Sequence, residues 1–433
     1  MYLERNLNLI ANRWPQLAKQ LLRCTAPAQV QLIDNTPDLT LMINGVHLSS
    51  CYDRLREARI QAELVPGSSS RVHVYGLATG DLPRVLLARP QLKHLTLVLM
   101  NPQVAKASLT HLDHSDWLAD DRVQLLTAAT EKVLRFPFAC APACLYLADD
   151  GSARLRDLLH LELATPFIQA IHRGSKDRYL ARIEENEAFI SKDADVTELF
   201  CSFPKGNIVV AGAGPTLSDH YGWLTRKRDH FTLIAVDVSV RSLLTAGIIP
   251  DVVVSIDASP KLFDKAFGGI DMQRLLSGVL VYFPLVDHRI LSCWPGRRFV
   301  AYSQGEIYEQ ICQRYPRGKL YSSGSVIHPA LDLAVKSGAA RVFLLGTDFS
   351  FPGGRSHVAG AGVSAHTAET SDWVLSGKGQ RVPTTPNFRG YLRDLETYIA
   401  LHPEIEFING SVEGAKIEGT KNLNEVTGWN NLT

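Results

Sequence analysis

A turn of small residues in the middle of the chain has the composition of an anion-binding loop. The stretch IVVAGAGPTL, residues 208–217, is an apolar run that ends in Gly212, Gly214, Pro215 and Thr216. Glycine lets the backbone bend tightly and approach a ligand, and the N–H groups that begin a helix attract phosphate or carboxylate. We therefore predict a strand, a turn and a helix beginning near Thr216, with an anion held at the turn. The alternative is a tight strand-to-helix turn that holds no ligand.

The residues around this turn separate several classes of nucleotide site. A dinucleotide fingerprint would place a third glycine, or an alanine, at Leu217, whose side chain obstructs close packing of the helix on the strand. Asp237, after the next predicted strand, could bind ribose hydroxyls, so a nicotinamide cofactor stays open as a disfavoured alternative. No lysine occurs between Gly206 and Thr225, which excludes the loop of P-loop nucleotidases.

Further polar residues follow the other predicted strands. Ligands of an open parallel sheet bind outside the carboxyl ends of its strands, so these residues are expected to lie at one edge. Asp237 and Asp257 end two strands, and Asp348, Arg355 and His357 follow a later one. Asp348 and His357 are candidates for acid–base chemistry, and Arg355 for binding an anionic group. A structural cap at Asp348 and an exposed loop position for His357 are the alternatives.

A second turn of small residues precedes a long apolar helix. It comprises Ser322, Ser323, Gly324 and Ser325, followed by VIHPALDLAV. A serine here could simply cap the helix, or the turn could form a second backbone cradle for phosphate or carboxylate. Two helix starts facing one cleft would suit a ligand that carries both groups. His328, inside the helix start, is expected to serve packing.

The elements that must position these residues are alternating strands and helices. From residue 207 onward the strands are apolar on both faces, which is typical of a parallel sheet covered by helices. We predict an α/β fold with a Rossmann-like, doubly wound, mostly parallel sheet over residues 175–433, its charged segment 175–200 being helical. For residues 1–174 we predict a smaller, degenerate Rossmann-like α/β domain. In this domain, Met100-Asn101 occupies the position where an acidic residue would bind ribose hydroxyls. We therefore expect the domain to act as a docking module without a working S-adenosylmethionine site.

The overall composition excludes some classes of partner. The 433 residues include 45 basic and 44 acidic side chains, a net charge of +1, so no general attraction to nucleic acid follows. No stretch approaches about 20 uninterrupted apolar residues, so we expect no membrane span. The seven cysteines and an N-terminus that reads as an amphipathic helix indicate reduced thiols in a cytoplasmic protein.

Several stretches together resemble the motility-associated factor (Maf) proteins, which are flagellin glycosyltransferases with a central MptE-like domain. These stretches are VVAGAGPTL, AVDVSVRSLLTAGIIPDVVVSIDASP, YSSGSVIHPALDLAVKSGAARVFLLGTDFSF and GGRSHVAG. The resemblance covers roughly residues 175–425, and the N-terminal domain is similar to the family's degenerate Rossmann-like domain. It implies transfer of a nonulosonic acid, of the pseudaminic or legionaminic type, from its CMP-activated form to Ser or Thr hydroxyls of flagellin.

The central region also resembles bacterial sialyltransferases. That resemblance places Gly212 and Gly214 near the nucleotide phosphate and the turn at residues 322–325 near the donor. The catalytic His of those enzymes lies just before a late helix, where this chain reads TTPNFRG and has no His. His357 or Asp348 is therefore our candidate for the base.

A metal is not required for such a transfer, because backbone N–H groups can stabilise the departing phosphate. Asp237, Asp257 and Asp348 could hold Mg²⁺ if the donor were a triphosphate. The same domain type includes Mg-dependent 6-hydroxymethylpterin pyrophosphokinases, although the N-terminal domain argues against that activity. A non-catalytic protein that binds flagellin or a sugar nucleotide is the other alternative.

Overall fold

The computed structural model describes residues 2–35, 38–128, 131, 133–174, 176–202, 206–361 and 372–423. The chain divides into two compact units, Met1–Glu162 and Leu163–Thr433. The division falls inside a helix, Ala153–Gly174, and so earlier in the chain than the boundary expected from the sequence. None of the helices in these described ranges combines the length and apolarity that a membrane span needs.

The first unit contains two small sheets. Its strands are β1 (Val30–Asn35), β2 (Asp38–Ile43), β3 (Val46–His47), β4 (Arg71–Tyr75), β5 (His94–Leu99), β6 (Val123–Thr127) and β7 (Phe138–Cys140). Its helices are α1 (Leu3–Arg13), α2 (Pro15–Arg23), α3 (Arg54–Glu63), α4 (Asp81–Leu87), α5 (Pro102–His111), α6 (Ser115–Leu118), α7 (Pro142–Tyr146) and the start of α8 (Ala153–Gly174). Strands β1 to β3 are antiparallel. Strands β4 to β7 form a parallel sheet in the order β6-β5-β4-β7, which is the Rossmann-like arrangement expected.

Protein side chains fill the crevice at the carboxyl end of β4. A Cβ atom added at Gly76 would lie 2.3 Å from the Cβ atom of Cys144, and Ala78 N–H donates to Cys144 Sγ at 3.3 Å. A Cβ atom at Gly80 would lie 2.5 Å from the buried His114 ring. A cavity of about 10 Å³ lies at the ends of β4 and β5, beside Cys144, and it has room for one water. The Cys144 and His114 side chains thus occupy the positions beside Gly76 and Gly80 where a ligand would approach the backbone.

The second unit is built on one large sheet. Its strands are β8 (Ala194–Asp195), β9 (Asn207–Ala211), β10 (Thr232–Val236), β11 (Val252–Ser255), β12 (Val279–Tyr282), β13 (Arg298–Val300), β14 (Arg341–Leu345), β15 (Trp373–Leu375), β16 (Arg381–Pro383), β17 (Glu406–Asn409) and β18 (Lys421–Asn422). Its helices are α9 (Lys176–Glu185), α10 (Glu187–Ile190), α11 (Tyr221–Arg226), α12 (Val240–Thr245), α13 (His288–Cys293), α14 (Glu309–Arg314), α15 (Ile327–Lys336) and α16 (Pro386–Ala400). The sheet order is β18-β17-β14-β9-β10-β11-β12-β13-β8, and every pair in it is parallel.

The predicted Rossmann-like, doubly wound parallel sheet is therefore confirmed. From β9 the chain builds outward through β10 to β13 and then returns to place β14 on the other side of β9. The topological switch point, where such folds bind ligands, lies between β9 and β14. Residues 208–211 of β9 are fully buried, as expected for a central strand covered on both faces.

Two local predictions were wrong. The segment 175–200 is not helical throughout, because Ala194–Asp195 forms the edge strand β8 and the Asp195 carboxylate caps the turn that follows by accepting from Thr197 N–H at 2.9 Å. No α-helix begins near Thr216 either. Pro215–His220 is a 3₁₀ helix, and α11 begins only at Tyr221.

Candidate functional site

The glycine turn, defined here as residues 212–216, lies against the end of β14. Gly212 N–H donates to Leu345 O and Gly214 N–H donates to Gly346 O, both at 2.8 Å. A Cβ atom at Gly212 would lie 2.4 Å from Gly346 O, closer than any side chain can approach. Both glycines are therefore explained by the close passage of two neighbouring strand ends at the switch point.

The Asp348 carboxylate occupies the position at this turn that an anion was expected to take. Its Oδ2 atom accepts from Thr216 N–H and lies 3.1 Å from the Thr216 hydroxyl. A Cβ atom at Gly214 would lie 2.1 Å from the same oxygen. Asp348 is only 3% exposed. Burial raises the pKa of Asp348 to about 7, and the hydrogen bonds from Thr216 oppose that rise.

A loop after β17 completes this cluster. The Ser411 hydroxyl lies 2.9 Å from Thr216 Oγ1 and accepts from Thr347 N–H at 2.9 Å. Among the described residues, Asp348 Oδ1 and Thr347 Oγ1 are buried without a hydrogen-bond partner. Ser411 was not predicted from the sequence, although it follows β17 directly, in FINGS, just as the predicted polar residues follow their strands.

The serine turn, defined here as residues 322–325, lies beside the glycine turn. A Cβ atom at Gly212 would lie 3.3 Å from Cδ1 of Ile327, the first residue of α15. Helix α15 precedes β14 in a parallel sheet, so its N-terminus lies at the carboxyl edge of the strands. The structure thus brings the start of α15, two residues after the serine turn, against the glycine turn more than a hundred residues earlier in the chain.

The two turns differ in whether their backbone N–H groups have protein acceptors. Ser323 Oγ donates to Asp394 Oδ2 at 2.5 Å, and Ser323 N–H donates to His328 Nδ1 at 3.3 Å. Ser325 Oγ accepts from Ile327 N–H at 3.4 Å, a capping contact. Within the described ranges, no protein acceptor engages the N–H groups at 322, 324 and 325. Gly324 is exposed, whereas the N–H groups of Gly212, Gly214 and Thr216 all donate to protein acceptors.

The two aspartates after β10 and β11 have different environments. Asp237 is 1% exposed, and its two oxygens accept from Val238 N–H at 2.8 Å and Ser255 Oγ at 2.7 Å. Burial raises the pKa of Asp237 to about 7, and the neighbouring Asp257 adds to that rise. Asp257 is exposed, with one oxygen accepting from Ser259 N–H at 2.8 Å. Asp257, rather than Asp237, is therefore able to bind ligand hydroxyls at this edge.

Tyr391 on α16 also lies at this edge and was not predicted from the sequence. A Cβ atom at Gly324 would lie 2.8 Å from Tyr391 Cε1, so the ring rests against the serine turn. Burial raises the pKa of Tyr391, and the Asp257 carboxylate adds to the rise. Its hydroxyl therefore stays protonated, as a possible donor beside the exposed carboxylate.

The loop that carries Arg355 and His357 reaches the glycine turn. Val358 N–H donates to Ala213 O at 2.9 Å. His357 is half-buried, with Nδ1 3.0 Å from Ser356 Oγ. Arg355 is exposed, and its charge works against the raised pKa of Asp348. His357 is thus the more accessible of the two candidate bases.

The carboxylates considered for Mg²⁺ do not form a site in the described part of the chain. No group of three or more His, Cys, Asp or Glu side chains there could hold a metal ion. Asp237 and Asp348 each have oxygens engaged by protein donors, and burial raises the pKa of each to about 7. These surroundings do not suit the anionic ligands that Mg²⁺ prefers.

Comparisons with known proteins place this geometry in a family context. Residues 181–354 match the family model described as "6-hydroxymethylpterin diphosphokinase MptE-like". The segment contains both turns and Asp348 but ends before Arg355 and His357. An uncharacterized protein of Treponema pallidum (strain Nichols) is 24% identical over 223 residues, which are 46% of this chain and 38% of that protein. This chain therefore spans well under half the length of that relative.

Two solved structures show weak similarity. A Maf glycosyltransferase from Magnetospirillum magneticum AMB-1 aligns at 15% identity with a TM-score of 0.44, covering 98% of this chain and 75% of that one. A spermidine synthase from Thermotoga maritima aligns at 13% identity with a TM-score of 0.23, covering 28% of this chain and 49% of that one. The match over residues 181–354 confirms the part of the predicted resemblance that concerns an MptE-like domain.

Proposed function

We propose that this protein is a cytoplasmic glycosyltransferase. It moves a nonulosonic acid of the pseudaminic or legionaminic type from a CMP-activated donor to Ser or Thr hydroxyls of flagellin. The observation that carries the proposal is the adjacency of the two turns, with Ile327 of α15 against Gly212. The motif resemblance to the Maf family, and the name of the Magnetospirillum magneticum glycosyltransferase, support this class of reaction.

The serine turn binds the phosphate that leaves with CMP. The N–H groups at 322, 324 and 325 have no protein acceptor among the described residues, and they precede α15, a helix of ten residues. Such donors stabilise the negative charge that develops as the bond to the sugar breaks. The exposed Asp257 carboxylate accepts hydrogen bonds from donor hydroxyls, and Arg355 attracts the carboxylate of the sugar.

His357 is the base that takes the proton of the attacking hydroxyl. Its side chain is accessible and its loop contacts the glycine turn through Val358. Asp348, by contrast, is buried with one oxygen bonded to Thr216, so it positions the turn. Removing a general base typically slows a reaction about 10²- to 10⁴-fold.

The test is a transfer assay with the full chain, flagellin, and CMP-activated pseudaminic or legionaminic acid. We expect CMP release and a matching mass increase on Ser or Thr of flagellin. His357→Ala should lower the rate by about 10²-fold or more. His230→Ala, an exposed imidazole at the opposite edge of the sheet before β10, is the control and should keep the rate. CMP binding without transfer to any acceptor would favour the non-catalytic binding protein.

A second candidate is 6-hydroxymethylpterin pyrophosphokinase activity, because the matching family model carries that description. This reaction moves diphosphate from ATP to the pterin and releases AMP. The assay is incubation with Mg²⁺, ATP and 6-hydroxymethylpterin. Formation of AMP there, with no release of CMP from the sugar donors, would replace our first proposal by this one.

A further inference from the structure

His328 uses both ring nitrogens to join the serine turn to α16. The side chain is 0% exposed. Its Nε2 atom lies 3.0 Å from Tyr391 O, and because a carbonyl oxygen only accepts, Nε2 carries the proton. Nδ1 is therefore the acceptor, and Ser323 N–H donates to it at 3.3 Å. The neutral imidazole is fully hydrogen-bonded, with one nitrogen on each partner.

Helix α16 holds the serine turn at two further points. Ser323 Oγ donates to Asp394 Oδ2 at 2.5 Å. Gly324 has a φ of +83°, a backbone conformation that glycine adopts readily, and a Cβ atom there would lie 2.8 Å from the Tyr391 ring. The conformation of this turn is thus set by long-range contacts with α16 as well as by its own sequence.

We infer that His328 is a positioning residue for the serine turn. His328 accepts a hydrogen bond from Ser323 N–H, so this N–H group points toward the protein interior. This bond fixes the conformation in which the N–H groups at 322, 324 and 325 have no protein acceptor among the described residues. The inference rests on the proposed function for what these groups bind, namely the phosphate of a sugar nucleotide. His328 itself does not contact the ligand. It acts through Ser323.

Two substitutions separate this role from simple packing. His328→Asn places an amide near the position of Nδ1 and keeps an acceptor for Ser323 N–H. His328→Gln places its amide near Nε2, keeps a donor for Tyr391 O and loses the acceptor for Ser323. Both variants are polar and of similar size, so a packing role predicts similar effects. His114→Gln is the control, since His114 is an equally buried, doubly hydrogen-bonded imidazole in the other unit.

The experiment measures CMP affinity by calorimetry and hydrogen exchange of peptides that contain residues 322–325, on full-length protein without and with CMP. We expect His328→Gln to weaken CMP binding about three- to tenfold, the loss of one positioned hydrogen bond, and to speed exchange in the serine turn. His328→Asn should stay within about twofold of the wild type in both. His114→Gln should lower the thermal midpoint without changing CMP affinity.

Equal losses in the Asn and Gln variants, or unchanged exchange in the Gln variant, would overturn the positioning role. Failure of the wild-type protein to bind CMP would instead overturn the proposed function. The exchange comparison in the absence of ligand would still decide whether His328 holds the turn, so the two failures are distinguishable.

Discussion

At the scale of single residues, Asp348 is a carboxylate that could act as a base, but its burial gives it a structural role. Its Oδ2 atom accepts from Thr216 N–H and lies beside the Thr216 hydroxyl, and Gly214 leaves room for it. We predict that Asp348→Asn keeps most of the transferase activity, because the amide oxygen still accepts from Thr216. Asp348→Ala leaves buried donors unpaired and should cost about 1–3 kcal/mol of the free energy of unfolding. Denaturant titration and CMP release measure the two effects.

The matched control for these variants is Asp229→Ala, an exposed aspartate at the opposite edge of the sheet, which should leave stability and activity unchanged. If Asp348 were the base, the Asn variant would lose activity by the factor of 10²–10⁴ typical of general bases while remaining folded. That outcome would restore Asp348 to the catalytic role and remove His357 from it.

The pH dependence of stability gives an independent check on the buried carboxyls. Burial raises the pKa of Asp348 and of Asp237 to about 7 in the folded protein, from an ordinary value of 3.8 for aspartate. At these two groups the folded state therefore binds more protons than the unfolded state between about pH 4 and pH 7, and their contribution to the free energy of unfolding falls as pH rises through this window. Each group contributes a slope of at most about 1.4 kcal/mol per pH unit.

Asp348→Asn and Asp237→Asn should each flatten this slope, as measured by urea unfolding at a series of pH values. An unchanged slope in both variants would contradict the raised pKa of these groups.

The polar residues at the strand ends were identifiable from the sequence because parallel strands end at one edge. Their burial was not, because the partner of Asp348 lies 132 residues away and local patterns carry no information on such contacts.

At the scale of elements, the glycine turn and the end of β14 depend on each other. Gly212→Ala would place a Cβ atom 2.4 Å from Gly346 O, and backbone cannot yield as a side chain can. We predict a loss of about 1–3 kcal/mol in the free energy of unfolding, as for overpacked interiors, and weaker CMP binding. Chemical denaturation and calorimetry measure these effects.

Gly222→Ala in α11 is the control. Its added Cβ atom meets only the end of the Arg226 side chain, at 3.3 Å, and alanine favours helices by about 1 kcal/mol over glycine. Stability should therefore be unchanged or slightly higher. If Gly212→Ala behaves like this control, the strand ends are less tightly packed than the hydrogen bonds between them indicate.

Most strands of the second unit and the two turns were predictable, as segments along the chain, from apolar periodicity and from small residues after apolar runs. The contacts of α16 with the serine turn were not, since nothing local to TTPNFRGYLRD shows that Tyr391 and Asp394 meet residues 322–325. The 3₁₀ helix after the glycine turn was also missed. Its first N–H group, at Thr216, is satisfied by a distant carboxylate instead of by a regular α-helical start.

At the scale of the whole molecule, the two Rossmann-like units differ in the backbone donors that stay available at the carboxyl edges of their sheets. In the first unit, Cys144 lies against Gly76, beside a cavity of about 10 Å³. Burial raises the pKa of Cys144 to about 11, so the thiol stays neutral in this packing. In the second unit the N–H groups at 322, 324 and 325 have no protein acceptor among the described residues, so this is the unit in which we expect nucleotide binding.

This difference predicts where ligands protect the protein. CMP at about 100 times its dissociation constant should stabilise the unit that binds it by about 2.7 kcal/mol, whereas S-adenosylmethionine should stabilise neither. Hydrogen exchange resolved by peptide assigns the effect. We expect CMP to slow exchange in peptides from residues 212–216 and 322–328 and to leave peptides from residues 76–80 unchanged, because a closed crevice admits no nucleotide. Protection of residues 76–80 by either ligand would mean that Cys144 moves aside and that the first unit retains a functional site.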